Sequence, residues 1–271
     1  MFDKKLVCVT GLPRSGSTLL CQLLAHHPEI YCPGQTSPLL QMLLQLRQST
    51  SDNEILLAQL DNQPEEVLGR LMQAYRGFMN GWYEKVSQPV VVDKNRSWIA
   101  QMDLAVQLSS SCKMLVCLRE PGQILGSIEA QHQKTLAMDS PDNLASYSPY
   151  DRANRLFSKE GVVGFALNNF RNAQDFAPDQ QRRMLCVLFE DLVANTPAVM
   201  ERVWDFIDLP KHEIDFDKLS LLPGESDSHY RLKYTHNTYS SIRPTKPHTI
   251  PTRIDKELRN GFDWFYRIFY P

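Results

Sequence analysis

The chain has little of what marks several large protein classes. No apolar stretch is long enough for a membrane span, which takes roughly 20 residues, so no membrane-crossing helix is expected. The start Met-Phe-Asp-Lys-Lys runs straight into a strand-like segment, and no signal peptide is expected there. Net charge is nearly absent: 29 Lys and Arg against 31 Asp and Glu leave −2. That balance argues against nucleic acid as the main partner and leaves basic residues to act locally. The six cysteines form no CxxC pair and no metal-like spacing. Cys8, Cys117 and Cys186 fall in strand-like runs and read as small core residues in a reducing compartment. The expectation is a cytoplasmic protein with no structural disulfide and no bound metal. Internal repeats and low-complexity segments are also missing.

What is present is 271 residues, 42% of them hydrophobic, enough for one large α/β domain, taken here as 1–271. Four apolar, β-branched runs read as strands: Leu6–Thr10, Pro89–Asp93, Met114–Leu118 and Met184–Phe189. Helical patterns separate them, ending near His26 or His27 and then covering Ser37–Leu46, Glu54–Leu60, Pro64–Tyr83, Trp98–Leu108, Ile124–Lys134, Asp151–Ala177 and Thr196–Ile207. Pro28–Ser37 reads as a loop, and Met138–Tyr150 as a polar, mobile segment. A last helix starts near Pro251 and ends in an aromatic run, Phe262–Tyr270. Strands alternating with helices imply right-handed crossovers and a parallel sheet covered by helices on both faces. Ligands of such sheets lie beyond the carboxyl ends of the strands. Each predicted strand ends there in polar groups: Gly11–Thr18, Asp93–Arg96, Arg119 and Glu190-Asp191.

The first of these ends is the most informative. In Gly11-Leu12-Pro13-Arg14-Ser15-Gly16-Ser17-Thr18 a strand breaks at a glycine, turns through a tight loop and enters an apolar helix. Backbone N–H groups of such a loop and the positive end of the helix hold an anion together. Gly16 admits close approach of an oxygen, and Arg14 adds a planar fork of donors. The loop nearly matches GxxxxGK[ST], but Ser17 stands where the lysine belongs. That lysine reaches the β- and γ-phosphates of a nucleoside triphosphate, so a donor with one phosphate and one transferable group fits better than ATP. A second pair, Arg119 and Ser127, sits after the third strand and a Glu-Pro-Gly turn, from where both side chains can grip one phosphate.

The segment Gly11-Leu-Pro-Arg-Ser-Gly-Ser-Thr-Leu-Leu20 resembles the 5′-phosphosulfate loop of sulfotransferases that use 3′-phosphoadenylyl sulfate (PAPS). Its form is similar to that of the tyrosylprotein branch. Leu118-Arg-Glu-Pro-Gly-Gln-Ile-Leu-Gly-Ser127 resembles the family's 3′-phosphate motif, with the same Arg-to-Ser spacing. The resemblance implies a P-loop-type parallel sheet and a sulfonate transfer from PAPS to a hydroxyl or amine acceptor, releasing adenosine 3′,5′-bisphosphate (PAP). The acceptor would be a small molecule or a peptide. Pro13, Arg14, Ser15, Gly16, Ser17 and Thr18 would hold the 5′ end, and Arg119 and Ser127 the 3′-phosphate. Phe189 replaces the family's tyrosine in Phe-Glu-Asp-Leu and would stack on adenine. Lys94, after the second strand, would neutralise the oxygen that leaves sulfur, with Arg14 beside it. Ser228 and Arg243 match the spacing of two cofactor contacts in a late segment, and residues 220–250 read as a lid closing on the cofactor.

One position departs from that pattern. The branch carries a glutamate as proton acceptor after the first helix, where this chain has Gly34-Gln35-Thr36. Glutamine accepts no proton at neutral pH. The remaining candidates are His229, Asp227, His236 and Asp93, with His229 taken as the base. Two other readings stay open: a P-loop kinase using ATP, and a nucleotide-binding protein of this fold without catalysis.

Overall fold

The computed structural model describes residues 2–135, 146–226, 235–245 and 247–271. Strand β1 (Lys5–Gly11) leads through the glycine loop into helix α1 (Ser17–Leu24), and β2 (Ile30–Tyr31) follows. Three helices come next, α2 (Leu39–Ser51), α3 (Glu54–Asn62) and α4 (Pro64–Trp82). After β3 (Val90–Lys94) a 3₁₀ turn, Arg96–Gln101, runs into α5 (Met102–Leu108). Strand β4 (Lys113–Leu118) precedes α6 (Pro121–Thr135), α7 (Pro149–Phe157), α8 (Val162–Ala173) and α9 (Pro178–Gln181). Strand β5 (Met184–Leu188) is followed by α10 (Phe189–Ala194) and α11 (Thr196–Phe206). A two-stranded pair, β6 (Glu225–Ser226) and β7 (Thr235–His236), and helices α12 (Thr252–Gly261) and α13 (Asp263–Phe269) complete the order.

The sheet order is β2-β3-β1-β4-β5, and every pairing is parallel. Alternation along each strand splits the core in two. Leu6, Cys8, Val91, Met114, Val116 and Leu118 face a layer that includes Leu40, Met79, Leu167 and Phe265. Val7, Val9, Val90, Val92, Leu115 and Cys117 face Leu20, Leu24, Val203 and Trp204. The parallel sheet covered on both faces therefore stands as expected. The chain moves from β1 toward one edge, then crosses to β4 on the other side, so the strand order reverses at the end of β1. The glycine loop occupies that reversal, the place where open α/β sheets bind ligands.

Local expectations change at five places; two are that Arg96–Gln101 forms a 3₁₀ turn ahead of α5 and that the last helix divides at Phe262 into α12 and α13. Ile30–Tyr31, expected as loop, adds an edge strand beside β3. The helix expected over Asp151–Ala177 is two, because the Ser158 hydroxyl accepts the Gly161 N–H at 3.0 Å and starts a new helix. Gly164 permits the close packing this needs, since a Cβ there would lie 1.9 Å from the Ser158 carbonyl. Phe189 opens a helix instead of closing β5. Most of the segment read as mobile lies outside the described residues.

Asp93, a candidate base, is fully buried in this core. Its two oxygens accept from the Trp98 indole N–H at 2.6 Å and the Tyr83 hydroxyl at 2.8 Å. Burial holds its pKa above the ordinary carboxylate value, and hydrogen bonding by Ser37, Trp98 and Tyr83 only partly offsets that. It ties the β3 end to α4 and the 3₁₀ turn, and does not line the cavity below. Tyr83→Phe removes one of the donors to a buried carboxylate, so urea denaturation should read a loss of about 2 kcal/mol. An unchanged denaturation midpoint would show that Asp93 does not need this donor.

Candidate active site

The loop after β1 is shaped by two left-handed glycines. Gly11 (φ 122) lies so near β4 that a Cβ would meet the Cys117 carbonyl at 2.1 Å. Gly16 (φ 85) is the N-cap of α1 and has no side chain to occupy the helix's first N–H groups. No acidic residue follows in the first turn, so the positive end of α1 stays available to an anion. Between the glycines Arg14 also takes a left-handed conformation, φ 59, a strain of about 1–2 kcal/mol for a residue with a Cβ. The Ser15 hydroxyl is spent on the Leu12 carbonyl at 2.6 Å and holds the turn.

A cavity of about 320 Å³ opens above this loop, lined by Arg14 to Thr18 and by Lys94, Arg96, Arg119, Phe189 and Glu225. The tail from Asn237 to Thr245 closes one side. Gln22 of α1 anchors that tail by donating to the Tyr239 carbonyl at 2.8 Å and the Ser220 carbonyl at 2.9 Å.

At one end Lys94 leaves β3 and is almost buried. Its ammonium donates to the Glu225 carboxylate at 2.5 Å, the Gly34 carbonyl at 2.9 Å and Thr18 Oγ1 at 3.3 Å. A lysine from a neighbouring strand thus reaches the hydroxyl at the start of α1, while Ser17 holds the loop-lysine position.

At the other end Arg119 leaves β4. Its guanidinium lies 4.5 Å from the centre of the Phe189 ring and donates to the Arg14 carbonyl at 3.1 Å. Arg119 Nε is buried without a hydrogen-bond partner, and its nearest anion is the Glu190 carboxylate at 4.0 Å. Burial lowers the Arg119 pKa, Glu190 works against that fall, and Arg14 adds to it. Arg14 Nε donates to Ser127 Oγ at 3.2 Å, so Ser127 joins this end through Arg14.

Of the residues expected at the site, Arg14, Ser15, Gly16, Ser17, Thr18, Lys94, Arg119, Phe189 and Arg243 line the cavity. Pro13 and Ser127 do not line it, and Ser127 touches the lining residue Arg14. Arg243 packs its guanidinium 3.6 Å from the Tyr239 ring centre, near the solvent-exposed rim. Ser228 and His229, with Asp227, lie outside the described residues. Sequence reasoning missed Glu225, Gln22 and Tyr239. The Pro-Gly turn just before β6 is the one sequence signal near Glu225, and nothing in it fixes a distance to Lys94. Among the described residues no group of His, Cys, Asp and Glu could hold a metal ion.

The Gly16 geometry carries a prediction. A Cβ there would meet Phe189 Cδ2 at 2.4 Å in a backbone conformation that L-residues resist. Gly16→Ala should cost about 2 kcal/mol and lower Tm by about 4 °C, with weaker nucleotide binding as the ring is pushed toward the cavity. A thermal scan matching wild type would contradict this packing.

The chain resembles known proteins in sequence and fold. It is 25% identical over 217 residues to protein-tyrosine sulfotransferase A of Caenorhabditis elegans, covering 75% of this chain and 50% of that one. To the protein-tyrosine sulfotransferase of Drosophila melanogaster it is 23% identical over 212 residues, covering 77% and 39%. The chain thus spans half or less of these relatives' length. In fold it is similar to the sulfotransferase domain from the curacin biosynthetic pathway, with a TM-score of 0.55, 16% identity and coverage of 96% and 98%. It is also similar to retinol dehydratase in complex with androsterone and inactive cofactor PAP, at a TM-score of 0.50, 12% identity and coverage of 97% and 80%. The sequence model of the Sulfotransferase family matches residues 7–213, a span that takes in most of β1, the other four strands of the sheet and the loop at its reversal point, and the chain belongs to that family.

Proposed function

We propose that this chain transfers the sulfonate of PAPS to a hydroxyl or amine acceptor and releases PAP. The observation that carries the reading is the spacing of charge in one cavity. Lys94 reaches Thr18 at the loop end, and a buried Arg119 presents an unpartnered donor at the other. A single nucleotide with a transferable group on its 5′ side and a phosphate on its ribose would answer both. The retinol dehydratase of similar fold is described with PAP, which supports that choice of nucleotide.

The residues present fit the group. Loop N–H groups between Arg14 and Thr18 would hold the 5′-phosphate, with Pro13 setting the turn. Arg119 and Ser127, with Arg14 between them, would hold the 3′-phosphate, and the Phe189 ring would take the adenine. Ser228 and Arg243 would close on the nucleotide from residues 220–250, in one domain over 1–271. Bound PAPS supplies the activated sulfonate and the leaving group. Lys94 would meet the charge that develops as the group moves, and the cavity wall would orient the acceptor. Arg14, expected beside Lys94, has its Nε on Ser127 at the Arg119 end and would need to turn from it to share that role. His229 would be the proton acceptor on the sequence reading, and it lies outside the described residues. The two protein-tyrosine sulfotransferase relatives support a phenolic acceptor, free or in a peptide. A cytoplasmic location is part of this reading, supported by six cysteines that are all free thiols.

Calorimetric titration with PAP and with ADP tests the donor site. PAP should bind and ADP should bind far more weakly, because it offers Arg119 no 3′-phosphate. Equal affinity for both, or a preference for ATP, would overturn the reading in favour of a kinase. Transfer of labelled sulfonate from PAPS to phenols, alcohols, amines and tyrosine peptides then identifies the acceptor. PAP binding without any transfer would leave a nucleotide-binding protein.

A further inference from the structure

We propose that Glu225 is the proton acceptor of the transfer, held ready by an ion pair that the incoming sulfonate opens; this rests on the PAPS reading of the same cavity. Glu225 opens β6, 131 residues beyond Lys94, and the pairing of β6 with β7 sets it over the cavity. Its Oε2 lies 2.5 Å from Lys94 Nζ, and its Oε1 accepts the Thr36 N–H at 2.7 Å. Both side chains are mostly buried, 10% exposed for Lys94 and 17% for Glu225. The adjacent Gln35 amide donates to the Gly224 carbonyl at 3.1 Å, so the two segments are tied at two points.

Three features favour this role over a purely structural bridge. Among the described residues Glu225 is the one carboxylate lining the cavity, and no described histidine lines it. It stands at the Thr18 end, where the transferable group of the nucleotide would lie, and away from Arg119. Its partner is also the cation assigned to that group: Lys94 is shared among Glu225, Gly34 and Thr18. A sulfonate competes for that ammonium. As Lys94 turns to it, Oε2 loses its donor and becomes the strongest nearby acceptor for an acceptor O–H.

The step balances without a further reactant. The acceptor proton passes to Glu225 Oε2 as the acceptor oxygen bonds to sulfur. The bond from sulfur to the bridging oxygen breaks, and its electron pair leaves on the 5′-phosphate of PAP, met by Lys94. Charged or titratable neighbours of Glu225 are Lys94 from β3 and the buried Cys21 thiol from α1. Burial raises the Glu225 pKa, but Lys94 and the Thr36 hydrogen bonds outweigh it and the net shift is downward. While Lys94 is paired with it the carboxylate is therefore ionised at neutral pH. Once Lys94 turns to the sulfonate the main lowering influence is gone and burial acts against the charge, so the acid limb of kcat should lie at higher pH than that of kcat/KM.

Glu225→Gln keeps the shape and the Thr36 contact while removing the base. It should bind PAP at least as tightly as wild type, lower kcat for labelled sulfonate transfer to phenols and to water about 10²-fold, and lose the acid limb of the pH profile. Glu225→Asp should restore part of the rate together with that limb. Glu225→Gln turnover within twofold of wild type, or an unchanged acid limb, would overturn the assignment. A wild-type protein that binds PAP yet passes sulfonate to neither phenols nor water overturns it too, with the donor site intact. Failure to bind PAP instead overturns the donor site on which it rests.

Discussion

Lys94→Ala is expected to lower sulfonate transfer about 10³-fold while PAP affinity changes only a few-fold. The size follows from where the ammonium sits. It is nearly buried, and its three partners fix it at the start of α1, so it is aimed before any ligand arrives. Removing one preorganised donor from a site that meets developing charge typically costs 10² to 10³ in rate. Here the loss is enlarged, because Glu225 stays behind without its cation and faces the incoming sulfonate with like charge. That second part is separable. Lys94→Ala combined with Glu225→Gln should bind PAPS better than Lys94→Ala alone, although both transfer slowly. Single-turnover transfer of labelled sulfonate and PAP calorimetry read the two parts independently. Turnover near wild type in Lys94→Ala would remove Lys94 from the chemistry.

The contrast between Lys94 and Glu225 shows what the sequence could and could not reveal. Lys94 was legible because an apolar run, Pro89–Asp93, had to be a strand, and a parallel sheet collects its strand ends on one side. The same logic placed Arg14, Thr18 and Arg119 together, and all four line the cavity. Glu225 belongs to a two-residue strand whose position depends on tertiary pairing, and no periodicity encodes that. Edge strand β2 was hidden for a related reason, since two residues carry no alternation. The break between α7 and α8 was lost inside one long amphipathic pattern, because a serine cap and close backbone packing at Gly164 decided it. No helix among the described residues is long and apolar enough to cross a membrane. Asp93 misled: a strand-end acid reads as functional until Tyr83 and Trp98 are found on its two oxygens.

The terminal aromatic run illustrates how remote sequence shapes the site. Phe265 and Tyr266 of α13 are buried, and the Tyr270 hydroxyl donates to the Glu190 carboxylate at 2.8 Å. Glu190 in turn stands 4.0 Å from Arg119. The last turns of the chain therefore hold an acid beside the arginine that would read the 3′-phosphate. Burial alone would make a guanidinium in this position costly, and Glu190 offsets part of that cost until an anion arrives.

Arg119→Ala should accordingly weaken PAP binding about 10³-fold and leave kcat at saturating PAPS within a few-fold of wild type. Two charge-assisted hydrogen bonds to a phosphate, at about 2 kcal/mol each, give about 4 kcal/mol. The stack on Phe189 disappears as well, so the ring loses the cation that fixes it beside Gly16. Glu190 then confronts the phosphate without its counter-charge, which separates this loss from general damage. Adding Glu190→Gln to Arg119→Ala should recover part of the affinity for PAP and nothing for adenosine 5′-monophosphate, which has no 3′-phosphate to be repelled. Adenosine 5′-monophosphate should lose far less affinity than PAP on Arg119→Ala, since it has no 3′-phosphate and feels only the loosened Phe189 ring and loop. PAP affinity unchanged by Arg119→Ala would move the 3′-phosphate elsewhere. A parallel loss for both nucleotides would instead make Arg119 a support of the loop through its bond to the Arg14 carbonyl.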